Sequence, residues 1–191
     1  MKPSLIALSS LFFLFSLSSG QEKSVEINAL NANQVPVRKN SIDFCPEYPI
    51  VDVYALQYTR TLTAKGEMML GVAYLNQKYD CGQSNAGGLI IGYRRYLWRR
   101  LHLEYQIWPI YDNFIEKKEN KHYKSFDVWN EFRVGYGFDF TLSNCPLYLN
   151  VQWPFGFGLY GSNKPESFKD ENSGSKQYFY FPPLVFIGIR F

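Results

Sequence analysis

The chain has 191 residues, a formal net charge of +3 and three cysteines. This length suits one domain, the small net charge argues against a nucleic-acid partner, and three cysteines are too few for a disulfide scaffold. Phe, Tyr and Trp number 16, 15 and 4, about twice the usual share, yet no stretch after residue 20 is apolar for the roughly 20 residues that a membrane helix needs.

The N-terminus predicts a secretory signal peptide. Lys2 precedes an apolar run from Leu5 to Leu17, and small residues follow it before Gln21. The run is too short and too weakly flanked for a stable membrane helix. We therefore expect residues 1–20 to be removed and residues 21–191 to form one domain outside the cytoplasm.

Eight later segments predict β-strands, because apolar residues recur at every second position. In chain order they are EKSVEINAL, VDVYALQYTRTL, GEMMLGVAYLNQ, AGGLIIGYRRYLW, RRLHLEYQIWPIYDNF, SFDVWNEFRVGYGFDF, PLYLNVQWPFGFGLY and QYFYFPPLVFIGIRF. The first is the shortest and weakest. The last contains Pro182 and Pro183, which lack amide donors, so we expect a bulge or a frayed start there.

The two faces of these strands differ in a way that predicts a closed barrel. One face is almost wholly apolar, with Asn130 as the exception in its strand, and the other mixes glycine with charges of both signs. Such a mixture suits the interior of a narrow barrel. We therefore predict an all-β fold, an eight-stranded antiparallel up-and-down transmembrane barrel. The charges expected to neutralise one another inside it are Arg94, Glu104, Asp127, Glu131, Arg133 and Arg190.

The predicted connections alternate in length. If the last strand ends at the periplasmic side, the connections on that side are short, around residues 62–66, 98–101 and 141–146. Those on the other side are longer and more polar, around residues 38–48, 79–86, 116–124 and 161–176. This asymmetry is typical of bacterial outer-membrane barrels.

The C-terminal segment carries the clearest family resemblance. In PPLVFIGIRF the last strand is expected to face lipid through Val185, Ile187, Ile189 and Phe191. With the leader and eight alternating strands, the chain resembles the small outer-membrane barrels of the OmpA and OmpX type across its mature length. The resemblance implies that Phe191 is an assembly signal. It also implies a Gram-negative outer membrane, with membrane lipid and the barrel assembly machinery as partners.

His102 and Glu104 are the strongest candidates for catalysis. At spacing i, i+2 they share the interior face, and a histidine held by a carboxylate is half of a nucleophilic triad. Some barrels of the resembled class modify lipids with such a pair. However, no serine stands at matching spacing on this strand, and a buried cluster of paired charges explains the same residues. We therefore assign no catalytic residue.

The remaining candidates are weak. Cys45 and Cys81 fall in the first two outer loops, where a disulfide between neighbours is possible, and Cys145 is left unpaired. His122 lies in a charged loop, and neither histidine has a second ligand at useful spacing, so no metal or cofactor is predicted.

Three functions follow from these observations. The first is an outer-membrane barrel with a structural or surface-interaction role, an interior closed by charges, and long outer loops that meet an extracellular ligand or surface partner; eight strands leave no general pore. The second is a lipid-modifying barrel enzyme of the lipid A deacylase or acyltransferase type. The third is a secreted soluble barrel of lipocalin shape that binds a ligand.

Overall fold

The computed structural model describes residues 39–143, 145–173, 178–180 and 182–191. Within them the elements are β1 (Asn40–Phe44), a 3-10 helix (Tyr48–Val51), β2 (Val53–Thr63), β3 (Gly66–Lys78), β4 (Gly82–Trp98), β5 (Leu101–Glu116), β6 (Lys121–Leu142), β7 (Cys145–Leu159), α1 (Glu166–Ser173), β8 (Tyr178–Tyr180) and β9 (Leu184–Arg190). The predicted signal peptide and the segment EKSVEINAL lie outside the described residues.

The strands form one antiparallel sheet that closes into a ring. Strands β1 to β7 pair in chain order, and β9 pairs with both β7 and β1. The short β8 continues the last strand and also pairs with β7. Asn40 and Phe191 complete the closure through backbone hydrogen bonds of 3.1 and 2.9 Å. The predicted all-β meander of eight antiparallel strands is therefore confirmed.

Strand β5 illustrates how the alternation produces an inside and an outside. His102, Glu104 and Gln106 are buried, whereas Leu103 and Tyr105 between them are exposed. Successive side chains of a strand point to opposite faces, and closing the sheet encloses one of those faces. The predicted division of the strands into interior and exterior faces therefore holds.

The first strand of the ring corrects an expectation. Residues 38–48 were predicted as an outer loop, but Asn40–Phe44 pairs with β2 and β9. Ser41 and Asp43 are buried, while Ile42 and Phe44 are exposed. The alternation spans only five residues, which is too short to stand out from the polar residues around it.

The last strand contains the interruption that its two prolines predicted. It is interrupted between Tyr180 and Leu184, where Pro182 and Pro183 lie. Beyond the prolines, Ile189 is exposed and Arg190 is buried, so the strand turns its apolar face outward.

One end of the ring, the short-turn end, carries tight hairpins. Strands β2 and β3, β4 and β5, and β6 and β7 are each joined by two residues. Arg99 and Ser143 have φ angles of 50° and 48°, the left-handed conformation that two-residue hairpins favour.

The opposite end, the long-loop end, holds connections at residues 45–52, 79–81, 117–120 and 160–177. The predicted loops 79–86 and 116–124 were too wide, because most of their residues belong to β4, β5 and β6. Those residues are polar, but they continue the strand pairing. The predicted difference in connection length between the two ends therefore holds chiefly for the first and last of these connections.

The interior is filled in layers. An apolar layer in the long-loop half includes Tyr48, Ile90, Trp108, Ile110 and Phe186. Buried polar and charged side chains lie on both sides of this layer, nearer the short turns around Glu104 and at the long-loop end around Lys164. Within the described residues, no helix combines the length and the apolar character required to cross a membrane.

Candidate functional site

Three charged residues on adjacent strands form the centre of the interior. Arg94 on β4, Glu104 on β5 and Arg133 on β6 occupy directly opposite positions in the strand register. Glu104 accepts a hydrogen bond from Arg94 Nε at 2.7 Å and from Arg133 Nη1 at 3.2 Å. One carboxylate therefore neutralises part of two guanidinium groups that are shielded from water.

Arg133 extends this centre toward the apolar layer. It donates to Glu131 Oε2 at 2.9 Å and to the Tyr48 hydroxyl at 2.6 Å. Tyr48 belongs to the 3-10 helix after β1, and its ring packs edge-on against Trp108 and Phe186. The connection between β1 and β2 therefore folds into the ring and helps to fill it.

Arg94 extends the centre toward the short-turn end. Its Nη1 lies 3.0 Å from Glu67 Oε2, and Arg190 Nη2 lies 3.9 Å from Glu67 Oε1. Arg190 Nε lies 2.9 Å from Asp139 Oδ1, and the other carboxylate oxygen of Asp139 pairs with Arg100. Sequence reasoning missed Glu67, although it continues the interior alternation of β3.

Neutral groups complete the hydrogen bonding of the centre. Gln106 and Gln152 donate to the two oxygens of Glu104 at 2.7 and 2.8 Å. Tyr148 accepts from Arg94 Nη1 at 3.1 Å. Tyr148 is itself fully buried in the interior.

His102 and Glu104, the two weak candidates for catalysis, share the interior but have different hydrogen-bond partners. His102 Nδ1 lies 3.1 Å from the Arg100 carbonyl oxygen, and its Nε2 lies 3.5 Å from the Gln152 amide nitrogen. Both oxygens of Glu104 are used by arginine and glutamine donors. Among the residues described, no hydrogen bond joins His102 to Glu104.

A second charged cluster closes the long-loop end. Lys164 lies in the connection after β7, and its side chain is buried between Asp112 and Asp127, with Nζ 3.1 Å from Asp127 Oδ2. The ammonium also lies 5.3 and 4.7 Å from the ring centroids of Phe114 and Phe168. Asp127, predicted in the central network, belongs here instead, because its partner comes from a loop.

Helix α1 covers this cluster. Its Phe168 is buried with ring centroids 5.1, 5.2 and 5.3 Å from those of Tyr79, Phe114 and Tyr160. Ser167 Oγ donates to Glu116 Oε1 at 2.5 Å. Burial raises the pKa of the Tyr79 phenol above its usual range.

The far end of α1 is tied to the connection between β3 and β4. Glu171 accepts hydrogen bonds from the backbone amides of Asp80 and Cys81, both at 3.0 Å. Desolvation opposes ionisation of Glu171, but hydrogen bonds from Cys81 and Asp80 lower its pKa overall. Burial and the adjacent Glu171 raise the pKa of the Cys81 thiol to about 12.

The three cysteines are free thiols. Cys45 donates to Glu47 Oε2 at 3.1 Å, Cys81 lies beside Glu171, and Cys145 begins β7. The disulfide between Cys45 and Cys81 that the sequence left possible is therefore not formed in the structure. Within the part of the chain described, no group of three or more His, Cys, Asp or Glu side chains is arranged to hold a metal ion.

The exterior of the ring is an apolar belt. Its exposed large side chains include Leu56, Leu70, Val72, Leu89, Ile91, Phe132 and Phe155. Toward the long-loop end, strand register aligns Tyr54, Tyr74, Tyr111 and Phe126 in one row across the sheet, with Gly87 between Tyr74 and Tyr111. An aromatic row therefore borders the apolar belt on the side nearer the long loops.

A scan against protein-family models and searches of curated proteins and of solved structures each return no match. The function of this chain is therefore inferred from its own residues.

Proposed function

We propose that this chain is an integral β-barrel of the bacterial outer membrane. On this proposal, residues 1–20 direct export, and the barrel assembly machinery inserts the mature chain with its apolar belt facing lipid. The long-loop end then faces outward and the short-turn end faces the periplasm.

The observation that carries the proposal is the inverted distribution of polarity. Arg94 and Arg133 are 2% and 1% exposed, whereas Val72 and Leu89 are 57% and 55% exposed. A water-soluble protein gains stability by burying apolar surface and rarely exposes large contiguous apolar patches. Contact with lipid would remove the free-energy cost of exposing these apolar side chains to water. Closure of the ring also gives each end of the sheet a neighbour, because β9 pairs with both β1 and β7; a sheet in the hydrocarbon region needs such closure.

The filled interior supports a structural or surface-interaction role. Side chains and the Tyr48 connection occupy the ring, and Lys164 with α1 covers the long-loop end. A general pore or a ligand cavity would need the space that these groups take. At the covered end, Ile50 of the first connection is 64% exposed, so this end presents an apolar tip to an extracellular ligand or surface partner.

The site supports neither of the alternative functions, the lipid-modifying enzyme or the lipocalin-like binder. A lipid-modifying enzyme would need a nucleophile beside His102, but the partners of His102 are a carbonyl and an amide. A lipocalin-like binder would need an apolar cavity, but charged and aromatic side chains fill the interior. We therefore advance only the membrane barrel.

Cell fractionation combined with gel migration tests the proposal. We expect the chain in the outer-membrane fraction, with unheated and boiled samples migrating differently because a lipid-adapted barrel resists detergent until it is heated. Recovery of the chain only as a soluble protein, with identical migration of the two samples, would contradict the proposal.

The proposed assembly signal has a separate test. Deleting Phe191 would also remove its backbone hydrogen bonds to Asn40, so Phe191→Ala is the cleaner change. We expect Phe191→Ala to slow insertion in cells more than it lowers the stability of the refolded protein. Phe155→Ala, which removes an exposed aromatic ring from β7, is the control. Equal insertion of Phe191→Ala and the unchanged chain would remove Phe191 as a signal.

A further inference from the structure

The exposed charges are distributed unequally between the two ends of the ring. At the short-turn end the exposed charged residues are Lys39, Arg60, Lys65, Arg95 and Arg99, which we name the basic arc. Within the described residues, no carboxylate side chain is classed as exposed at this end; Asp139 is partly buried and paired with Arg100 and Arg190. The long-loop end, by contrast, exposes charges of both signs, with Glu119 beside Lys117 and Lys118.

The basic arc also covers only one side of the rim. Its members lie between the start of β1 and the connection of β4 to β5. From β5 to β9 the described rim exposes uncharged side chains such as Phe138, Leu142 and Phe191. A positive potential therefore concentrates on one part of the rim.

Two arginines of the arc stand on the lipid-facing side of their strands. Arg60 precedes the exposed Leu62 on the outward face of β2, and Arg95 precedes the exposed Leu97 on the outward face of β4. Arginine buries its aliphatic stem along apolar surface while keeping its charged head in a polar environment. This position suits the boundary between hydrocarbon and headgroups.

The hairpin between β4 and β5 also places a cation beside an exposed apolar side chain. Trp98 is 62% exposed, and the Arg99 guanidinium lies 4.5 Å from its ring centroid. Tryptophan is enriched at membrane–water interfaces, where its ring lies at the level of the headgroups. The arc therefore combines positive charge with apolar groups that can enter the edge of a bilayer.

We propose that the basic arc binds the phosphate groups of anionic phospholipids in the leaflet at the short-turn end. Guanidinium groups bind phosphate through paired hydrogen bonds, and the neighbouring Leu62, Leu97 and Trp98 contact the acyl chains. An acidic soluble protein would match the charge but would leave these apolar groups without a partner. This inference rests on the proposed membrane insertion.

Native mass spectrometry of the refolded protein, released from mixed micelles, tests the proposal. The probes are phosphatidylglycerol and phosphatidylcholine. We expect bound phosphatidylglycerol to persist and phosphatidylcholine to be lost. Because each cation near an anionic surface contributes about fivefold to binding, the double variant Arg60→Gln with Arg95→Gln should bind phosphatidylglycerol about 25-fold more weakly. Raising the salt concentration should also weaken binding.

The matched control is the double variant Lys117→Gln with Lys118→Gln, which makes the same change in net charge at the long-loop end. We expect it to retain phosphatidylglycerol as the unchanged chain does. Equal retention of the two lipids, or unchanged retention by the Arg60 and Arg95 variant, would overturn the inference. Displacement of the lipid by polyglutamate would also overturn it, in favour of an acidic protein partner.

Vesicle insertion, measured in parallel, separates this inference from the proposed function. A chain that inserts without preferring anionic lipid rejects only the role of the basic arc. A chain that fails to insert rejects the membrane barrel itself.

Discussion

The interior and the exterior of the ring use the same strands for opposite purposes. Along β5, Glu104 and Gln106 form buried hydrogen bonds, while Leu103 and Tyr105, one position away, are exposed. In a soluble protein the polar set would meet water and the apolar set would form the core. The inversion teaches that burial here follows the closure of the sheet rather than the polarity of the side chain.

Paired charges make this arrangement possible. A buried ion pair contributes little net stability, but removing one partner leaves an uncompensated charge and is strongly destabilising. We therefore expect removal of a charge from the interior to destabilise the fold, and introduction of a charge on the exterior to destabilise it as well. The following predictions compare the two responses, from the largest to the smallest.

Glu104→Gln should cause the largest loss. It removes the carboxylate shared by Arg94 and Arg133, and we expect the free energy of unfolding to fall by about 3–5 kcal/mol. The measurement is urea unfolding of the protein refolded in phosphatidylcholine vesicles. Glu131→Gln is the control, because Arg133 keeps Glu104; a loss as large as that of Glu104→Gln would show that Glu104 is not the centre of the network.

On the exterior, Leu89→Arg should be costly only if the belt lies in lipid. We expect a loss of about 2–4 kcal/mol, against about 0–1 kcal/mol for Leu142→Arg at the rim. Both leucines are more than half exposed, at 55% and 59%. If both faced water, the two substitutions would therefore cause similar losses of stability. Unfolding from vesicles measures the difference, and equal losses would argue against the membrane position of the belt.

Lys164→Met should loosen the covered end. Without the ammonium, Asp112 and Asp127 lose a buried partner, and we expect about 1–3 kcal/mol less protection of α1, the usual cost of an unsatisfied buried group. Limited proteolysis and hydrogen exchange at residues 160–173 measure this opening. Lys169→Met is the control, since Lys169 is exposed and pairs with the exposed Glu166. Equal effects of the two changes would contradict the role of Lys164.

Acidification should produce the smallest effect. Because the pKa of Glu171 is lowered from 4.5 in the folded chain, its contribution is present above pH 4.5 and is lost as the pH falls through the lower folded value. Amide exchange at Asp80 and Cys81, corrected for intrinsic rates, should therefore increase below pH 4.5. Glu171→Gln should abolish this dependence, and its persistence in that variant would assign it to another group. The effect is small because Glu171 is exposed and solvent screens it.

The alternation of apolar and polar residues at every second position predicted most of the ring, because a long strand repeats this pattern many times. The same rule predicted that Arg94, Glu104, Glu131, Arg133 and Arg190 lie inside. It failed for Asn40–Phe44, where five residues give too few repeats. It also could not separate interior polar residues from loops, and the limits of β4, β5 and β6 were therefore set too narrowly.

The contacts that the loops make could not be predicted from the sequence. Nothing in the residues around Lys164 indicates that its ammonium reaches Asp112 and Asp127, because loop geometry has no period. The same holds for Tyr48, which enters the ring from a connection. The partners of Glu104 also depend on the three-dimensional structure. His102 and Glu104 share a face of β5, but Arg94 and Arg133 are stronger partners for a carboxylate, as the alternative of a buried charge cluster implied.

Asn130 shows how an exception to the pattern is accommodated. It interrupts the apolar face of β6, and the hydroxyl of Tyr105 on the next strand donates to its Oδ1 at 2.6 Å. The register places Ile107 opposite Asn130, so Tyr105 reaches it diagonally, within the range of a long aromatic side chain. The sequence marks the exception, but its partner depends on the register of the two strands.

The most direct test of the account is the environment of Leu89. A nitroxide attached to Leu89→Cys, in a chain whose three native cysteines are replaced by serine, reports that environment by electron paramagnetic resonance in vesicles. The account predicts high accessibility to oxygen and low accessibility to a water-soluble nickel chelate. High accessibility to the nickel chelate, with the ring folded, would place the apolar belt in water and contradict the membrane barrel.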